Sequence, residues 1–167
     1  MTRFFSNARA ATAGVVALLI VASPSVAQDR KQPGVPAATP HAVEKKAHRL
    51  VLQVNTNDAA MMNLALNNAT NVAQYYKDAG EKVEIEVVTF GPGLHMLRDD
   101  TSPVKARIKS ITTSTPTISF KACGNTRENM HKAEDKEIPL IPEATVVKSG
   151  VVRVMELQEQ GWTYVRP

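Results

Sequence analysis

The chain has 167 residues, 43% of them hydrophobic and only 5% aromatic, with a formal net charge of +4. That excess lies outside residues 48–167, where 14 Lys and Arg offset 14 Asp and Glu. This stretch therefore lacks the basic footprint that a phosphate backbone requires, which excludes nucleic acid as a partner.

Arg3 and Arg9 precede an apolar run from Ala10 to Ala22, and Ser25-Val26-Ala27 follows Pro24 with the small-x-small spacing of a signal-peptidase site. The run falls short of the roughly 20 residues that span a bilayer. Residues 1–27 are therefore expected to be a cleaved leader that exports the chain to the periplasm, with no stable membrane insertion afterwards; an uncleaved anchor is the alternative. Residues 28–47 are polar and alanine-rich, with Pro33, Pro36 and Pro40, and read as an extended linker. Residues 48–167 form one domain, long enough to bury a core.

Within that domain, strand-like and helix-like stretches alternate, which predicts an α/β fold with a mainly parallel sheet. The first strand is His48–Val54, and Asn55-Thr56-Asn57-Asp58 is a polar turn that offers an N-cap. A helix is expected from about Ala59 to Ala79, with Met61, Leu64, Ala65, Val72, Tyr75, Tyr76 and Ala79 on its apolar face and Gly80 as its left-handed stop. Residues 83–90 begin in strict alternation and end in a continuous apolar run, as expected of a strand whose later half is buried on both faces. Gly91-Pro92-Gly93 is a turn, and residues 94–97 a short helix. Ser102-Pro103 predicts a cap and first helical residue, with Val104, Ile108 and Ile111 on the buried face. Residues 117–122 are the third strand; Asn125 or Thr126 caps the next helix, with Glu128 in capping-box spacing to Asn125. Residues 144–147 are a fourth strand, residues 151–160 a last helix ended by Gly161, and residues 162–165 a fifth strand.

Cys123 is the only cysteine. It stands where the third strand runs into a helix, so main-chain N–H groups at the helix start can favour its thiolate. The thiolate is the nucleophilic and sulfur-accepting form. Gly124, Asn125 and Thr126 complete that turn and are candidate ligand-binding residues. The competing reading is that Cys123 is a small buried hydrophobe, the commonest fate of a free cysteine. Gly93 and His95 follow the second strand on the same rim. Gly93 can admit a ligand or another backbone, and His95 can exchange a proton near the thiol; the Gly-Pro-Gly sequence is equally what a tight turn needs. Asn55, with Asn57 and Asp58, follows the first strand and offers either a helix cap or polar contact to a ligand. The four histidines and the cysteine show no metal-ligand spacing, and there is no phosphate loop or Gly-x-Ser-x-Gly elbow, so neither a metal nor a cofactor is expected.

Phe120-Lys121-Ala122-Cys123-Gly124-Asn125-Thr126, the stretch Ile141 to Arg153, and the ending Glu156 to Pro167 together resemble the DsrE/DsrF-like family. The likeness takes in nearly all of residues 48–167, including Gly91-Pro92-Gly93. It implies a YchN-like three-layer sandwich, a homo-oligomer such as a trimer or hexamer, and a cysteine that takes up sulfur as a persulfide and passes it on. Only Cys123 can fill that role here, with a sulfur donor or acceptor protein as partner. Two functions therefore stand at this point: an exported sulfur carrier, or a non-catalytic oligomeric module that binds a small ligand and keeps Cys123 for structure. A disulfide oxidoreductase is disfavoured because there is no resolving cysteine.

Overall fold

The computed structural model describes residues 47–167. The expected leader, and all of the linker but Ala47, lie outside the described residues. Five strands, β1 His48–Val54, β2 Val83–Thr89, β3 Ile118–Cys123, β4 Ala144–Val147 and β5 Thr163–Val165, form one sheet in the order β4-β3-β2-β1-β5. Every pairing is parallel, as in Leu50↔Ile85 and Ile85↔Ile118. A parallel sheet needs crossovers long enough to return the chain to its starting edge. These are α1 Ala59–Asp78, α2 Lys105–Ser114, α3 Gly124–Glu134 and α4 Gly150–Glu159, with a 3-10 helix at Gly91–Leu97 before α2.

Alternation along each strand sorts side chains between two clusters. On the front, Leu50, Leu52, Ile85, Val87 and Phe120 pack under α1, the 3-10 helix and α2, and Met130 of α3 lies against the same cluster. On the back, Val51 and Val88 meet Val154 and Leu157 of α4. Glu86 also points back and is buried; Arg153 of α4 neutralises it with bonds of 2.6 and 3.0 Å. The α/β class and the parallel five-stranded sheet are as the sequence predicts, with helices on both faces.

Asp58 caps α1 by accepting from the Ala60 amide at 2.8 Å, and Gly80 takes φ +65 beyond its end. The buried stripe of α1 is nonetheless Met62, Ala65, Leu66, Ala69 and Ala73. Of the expected face Ala65 is buried and Val72 and Tyr76 pack half-buried against the core, while Leu64 is 41% and Tyr75 69% exposed. The small Ala65, Ala69 and Ala73 in this stripe let α1 lie close on the sheet.

Two helix starts also differ. Ser102 donates to the Met96 carbonyl at 2.6 Å and accepts from Val104 at 3.3 Å. It thus folds back on the 3-10 helix, and α2 begins at Lys105 rather than Pro103. The box between Asn125 and Glu128 does not form: α3 starts one residue before Asn125, and Glu128 pairs instead with Lys132 at 3.1 Å.

Candidate functional site

Adjacent strands β3 and β4 send their chains to opposite faces, β3 into α3 on the front and β4 into α4 on the back. In an open α/β sheet such a divergence leaves a crevice at the strands' carboxyl ends, where ligands bind. Cys123 stands in it as the last residue of β3.

The cysteine is itself the N-cap of α3. It is extended, with φ −69 and ψ 115, and its Sγ accepts the Thr126 amide at 3.4 Å. The expected cap, Asn125 or Thr126, is thus displaced to Cys123, because Gly124 already has helical geometry and the Asn125 amide is taken by the Lys148 carbonyl at 3.1 Å. Burial opposes ionisation of the thiol. The Thr126 hydroxyl and the amides of Gly150 and Thr126, with a smaller part from the Asn125 amide that the sulfur shares with the Lys148 carbonyl, outweigh it and hold the pKa below the ordinary thiol value. The amides come from two helices, α3 and α4.

Glycine makes that convergence possible. A Cβ on Gly150 would lie 2.8 Å from Phe90 Cδ1 and 3.2 Å from the Cys123 Cβ, and one on Gly124 would lie 3.2 Å from the Val147 carbonyl oxygen. Both are tighter than ordinary contacts. Thr126 is fixed from another direction, since its Oγ1 accepts the Gly91 amide at 2.9 Å. Cys123 retains only 4% of its surface in water.

A structure of the protein of unknown function MTH1491 from Methanobacterium thermoautotrophicum matches this fold with a TM-score of 0.62 at 30% sequence identity, covering 72% of this chain and 99% of that one. The chain belongs to the same family as MTH1491. No family model and no curated protein matches it. The likeness to MTH1491 carries the α/β architecture and no activity.

Of the residues singled out from the sequence of this MTH1491 relative, Cys123, Gly124, Asn125 and Thr126 share the start of α3, while Gly93, His95 and Asn55 have other neighbours. Gly93 is filled by protein: a Cβ there would stand 2.1 Å from the Val54 carbonyl oxygen, so its lack of a side chain serves β1 rather than a ligand. His95 shares a 2.8 Å hydrogen bond through Nδ1 with Thr101 Oγ1 and is not among the groups acting on the sulfur. Asn55 follows β1, two strands from β3 and so roughly 10 Å away at the usual strand spacing. It lines a separate recess of about 220 Å³ with Gln53, Thr56 and Arg166.

Gly150 and Phe90 were not singled out, and Gly150 carries the second helix terminus. The one signal for it is its place directly after Ser149 at a predicted helix start. Arg98 was missed as well. It is 1% exposed, and its guanidinium bonds Glu134 Oε2 at 2.8 Å and Asp100 Oδ2 at 2.7 Å, which clips the end of the 3-10 helix to α3. No cluster of three or more potential metal ligands occurs among the described residues, nor any helix long and apolar enough to cross a membrane.

Proposed function

We propose that the protein is an exported sulfur carrier that holds sulfane sulfur as a persulfide on Cys123. What supports this is the place of Cys123 at the start of α3, where its Sγ accepts the Thr126 amide at 3.4 Å with Gly150 of α4 packed close beside it, a setting that favours the thiolate against the effect of burial. In the reaction, the Cys123 thiolate attacks the outer sulfur of thiosulfate. A sulfur–sulfur bond forms, the bond to the sulfonate sulfur breaks, and sulfite leaves with its electron pair. An acceptor thiolate then attacks the outer sulfur of the persulfide and frees the Cys123 thiolate. Both steps are thiol exchange and need neither metal nor organic cofactor. The amides serve both states, since thiolate and persulfide anion carry the same charge at neighbouring positions. With the side chain largely covered, donor access requires the corner between Gly124 and Ser149 to open.

The 4% exposure favours a second reading, in which the cysteine is a structural cap in a non-catalytic binding module. Incubation of the purified protein with thiosulfate or polysulfide, followed by intact-mass measurement, separates the two. The carrier gains about 32 Da per sulfur added, and Cys123→Ser gains nothing. A wild-type protein that stays unmodified while folded, and reacts only after denaturation, leaves the structural reading standing.

A further inference from the structure

Among the described residues, β5 is the outermost strand on its side of the sheet and pairs with β1 alone. Edge strands of stable monomers are usually blocked by charge, proline or a covering segment. The opposite edge follows that rule, because β4 is flanked by Pro142, Glu143 and Lys148. Thr163-Tyr164-Val165 carries no charge and no proline, all three residues are exposed, and among the described residues the strand's outer N–H and C=O groups face no other strand.

The front of this edge is open as well among the described residues. A groove of about 570 Å³ lies between α1 and β5, floored by Leu50, Leu52 and Val165 and walled by Val72, Tyr75 and Tyr76. Tyr75 stands 69% exposed at its rim. At the groove, His48 shares a hydrogen bond with Glu81 at 2.7 Å and Arg49 pairs with Glu84 at 3.6 Å.

We propose that this edge pairs with β5 of a second copy of the chain, antiparallel about a two-fold axis through Tyr164, to make one continuous ten-stranded sheet. A two-fold interface brings each residue onto its own surface patch, so an unpaired charge near the axis would meet its like. Here none does. Tyr164 lies beside the partner's Tyr164, an aromatic cross-strand pair. Thr163 faces the partner's Val165, and Arg166 faces the partner's Trp162, where a cation meets an indole. The register places the two Arg166 residues well apart. A three-residue edge does not reach the roughly 800 Å² per partner of a stable interface. The groove adds apolar surface to it: on the shared front face the two grooves adjoin, and Tyr75 from each copy stands over the apolar floor.

Sedimentation equilibrium of the purified protein over a concentration series tests this. An even-numbered assembly is expected. Tyr164→Lys, which sets two ammonium groups side by side on the axis, should weaken the association at least tenfold. Tyr75→Glu, on an exposed helix position that leaves the strand untouched, should weaken it too and keeps the test decidable if Tyr164→Lys misfolds. Met155→Lys, on the exposed face of α4, should leave the association unchanged. A monomer, an odd-numbered assembly, or an assembly that withstands both tyrosine substitutions overturns the proposal. So does one broken only by Met155→Lys, which would place the contact on α4. Because these variants lie away from Cys123, the outcome is independent of whether the thiol carries sulfur.

Discussion

Gly93→Ala distinguishes a glycine kept for packing from one kept for a ligand. The backbone at Gly93 is not left-handed, so alanine brings no conformational strain of its own. The cost is steric. The new Cβ would stand 2.1 Å from the Val54 carbonyl oxygen, 2.5 Å from its carbon and 2.8 Å from the Asn55 Cα. Non-bonded carbons settle at about 3.5–4.0 Å, so the 3-10 helix or the end of β1 must retreat by more than ~1 Å. The same Val54 carbonyl accepts the Phe90 amide at 3.2 Å, and this bond would stretch with any such retreat. Overpacking costs about 1–3 kcal/mol, and with backbone as the obstacle the upper end applies. At roughly 4 °C per kcal/mol for a domain of this size, Tm should fall by roughly 10 °C. Urea and thermal unfolding followed by circular dichroism measure this, while thiol alkylation of the folded variant should match wild type. Gly91→Ala is the contrast, since φ +52 with open space around it costs only the left-handed penalty of about 1–2 kcal/mol. A Gly93→Ala protein as stable as wild type but altered in thiol reactivity would refute the packing argument.

Thr126→Val removes the hydroxyl that helps the thiolate while keeping the main-chain N–H, so the thiol pKa should rise and the alkylation rate should climb at higher pH than in wild type; Thr126→Ser should restore the profile, and a profile unmoved by valine would exclude the hydroxyl. Bonding to Arg98 lowers the Glu134 pKa to about 2, so this carboxylate stabilises the fold fully above its unfolded value of about 4.3 and progressively less as the pH falls toward 2. The stability gap between wild type and Glu134→Gln, measured by urea unfolding, should be largest near neutrality and close on acidification; a gap that does not change with pH would rule out the ion pair as its source. Leu66→Ala should cost about 2–5 kcal/mol, whereas Leu64→Ala, two residues away on the outer face, should stay within about 0.5 kcal/mol. Equal losses in the two unfolding curves would contradict the buried stripe of α1.

The elements that are legible from the sequence are those fixed by local chemistry. β1 and β4 fall on their predicted residues because each has an apolar or β-branched centre that ends at polar groups, and Asp58 and Gly80 bracket α1 as cap and stop. The α1 face misleads because hydrophobic size and burial part company there: Ala69 and Ala73 lie against the sheet, while the larger Tyr75 stands in water. Arg98 leaves no local trace, since Glu134 is 36 positions away and the pair exists only after the 3-10 helix has met α3. Ser102 and Cys123 fail as boundary signals for a related reason, each being claimed by a partner that the turn rules do not see.

The sulfur site depends on the least legible feature, strand order. Strand-helix alternation is satisfied equally well by several arrangements of five parallel strands, and from Cys123 and its following turn one infers only the amides of α3. The order β4-β3-β2-β1-β5 places the exit of β4 beside that of β3, which brings the Gly150 amide and a second helix terminus to the sulfur. Were β4 and β5 exchanged, the same residues would leave Cys123 with the donors of one helix against the same burial, and the balance that now favours the thiolate would weaken. The local turn supplies the Thr126 hydroxyl and the amides of Asn125 and Thr126, and the strand next to Cys123 adds the Gly150 amide, the one part of the balance that no local pattern of residues encodes.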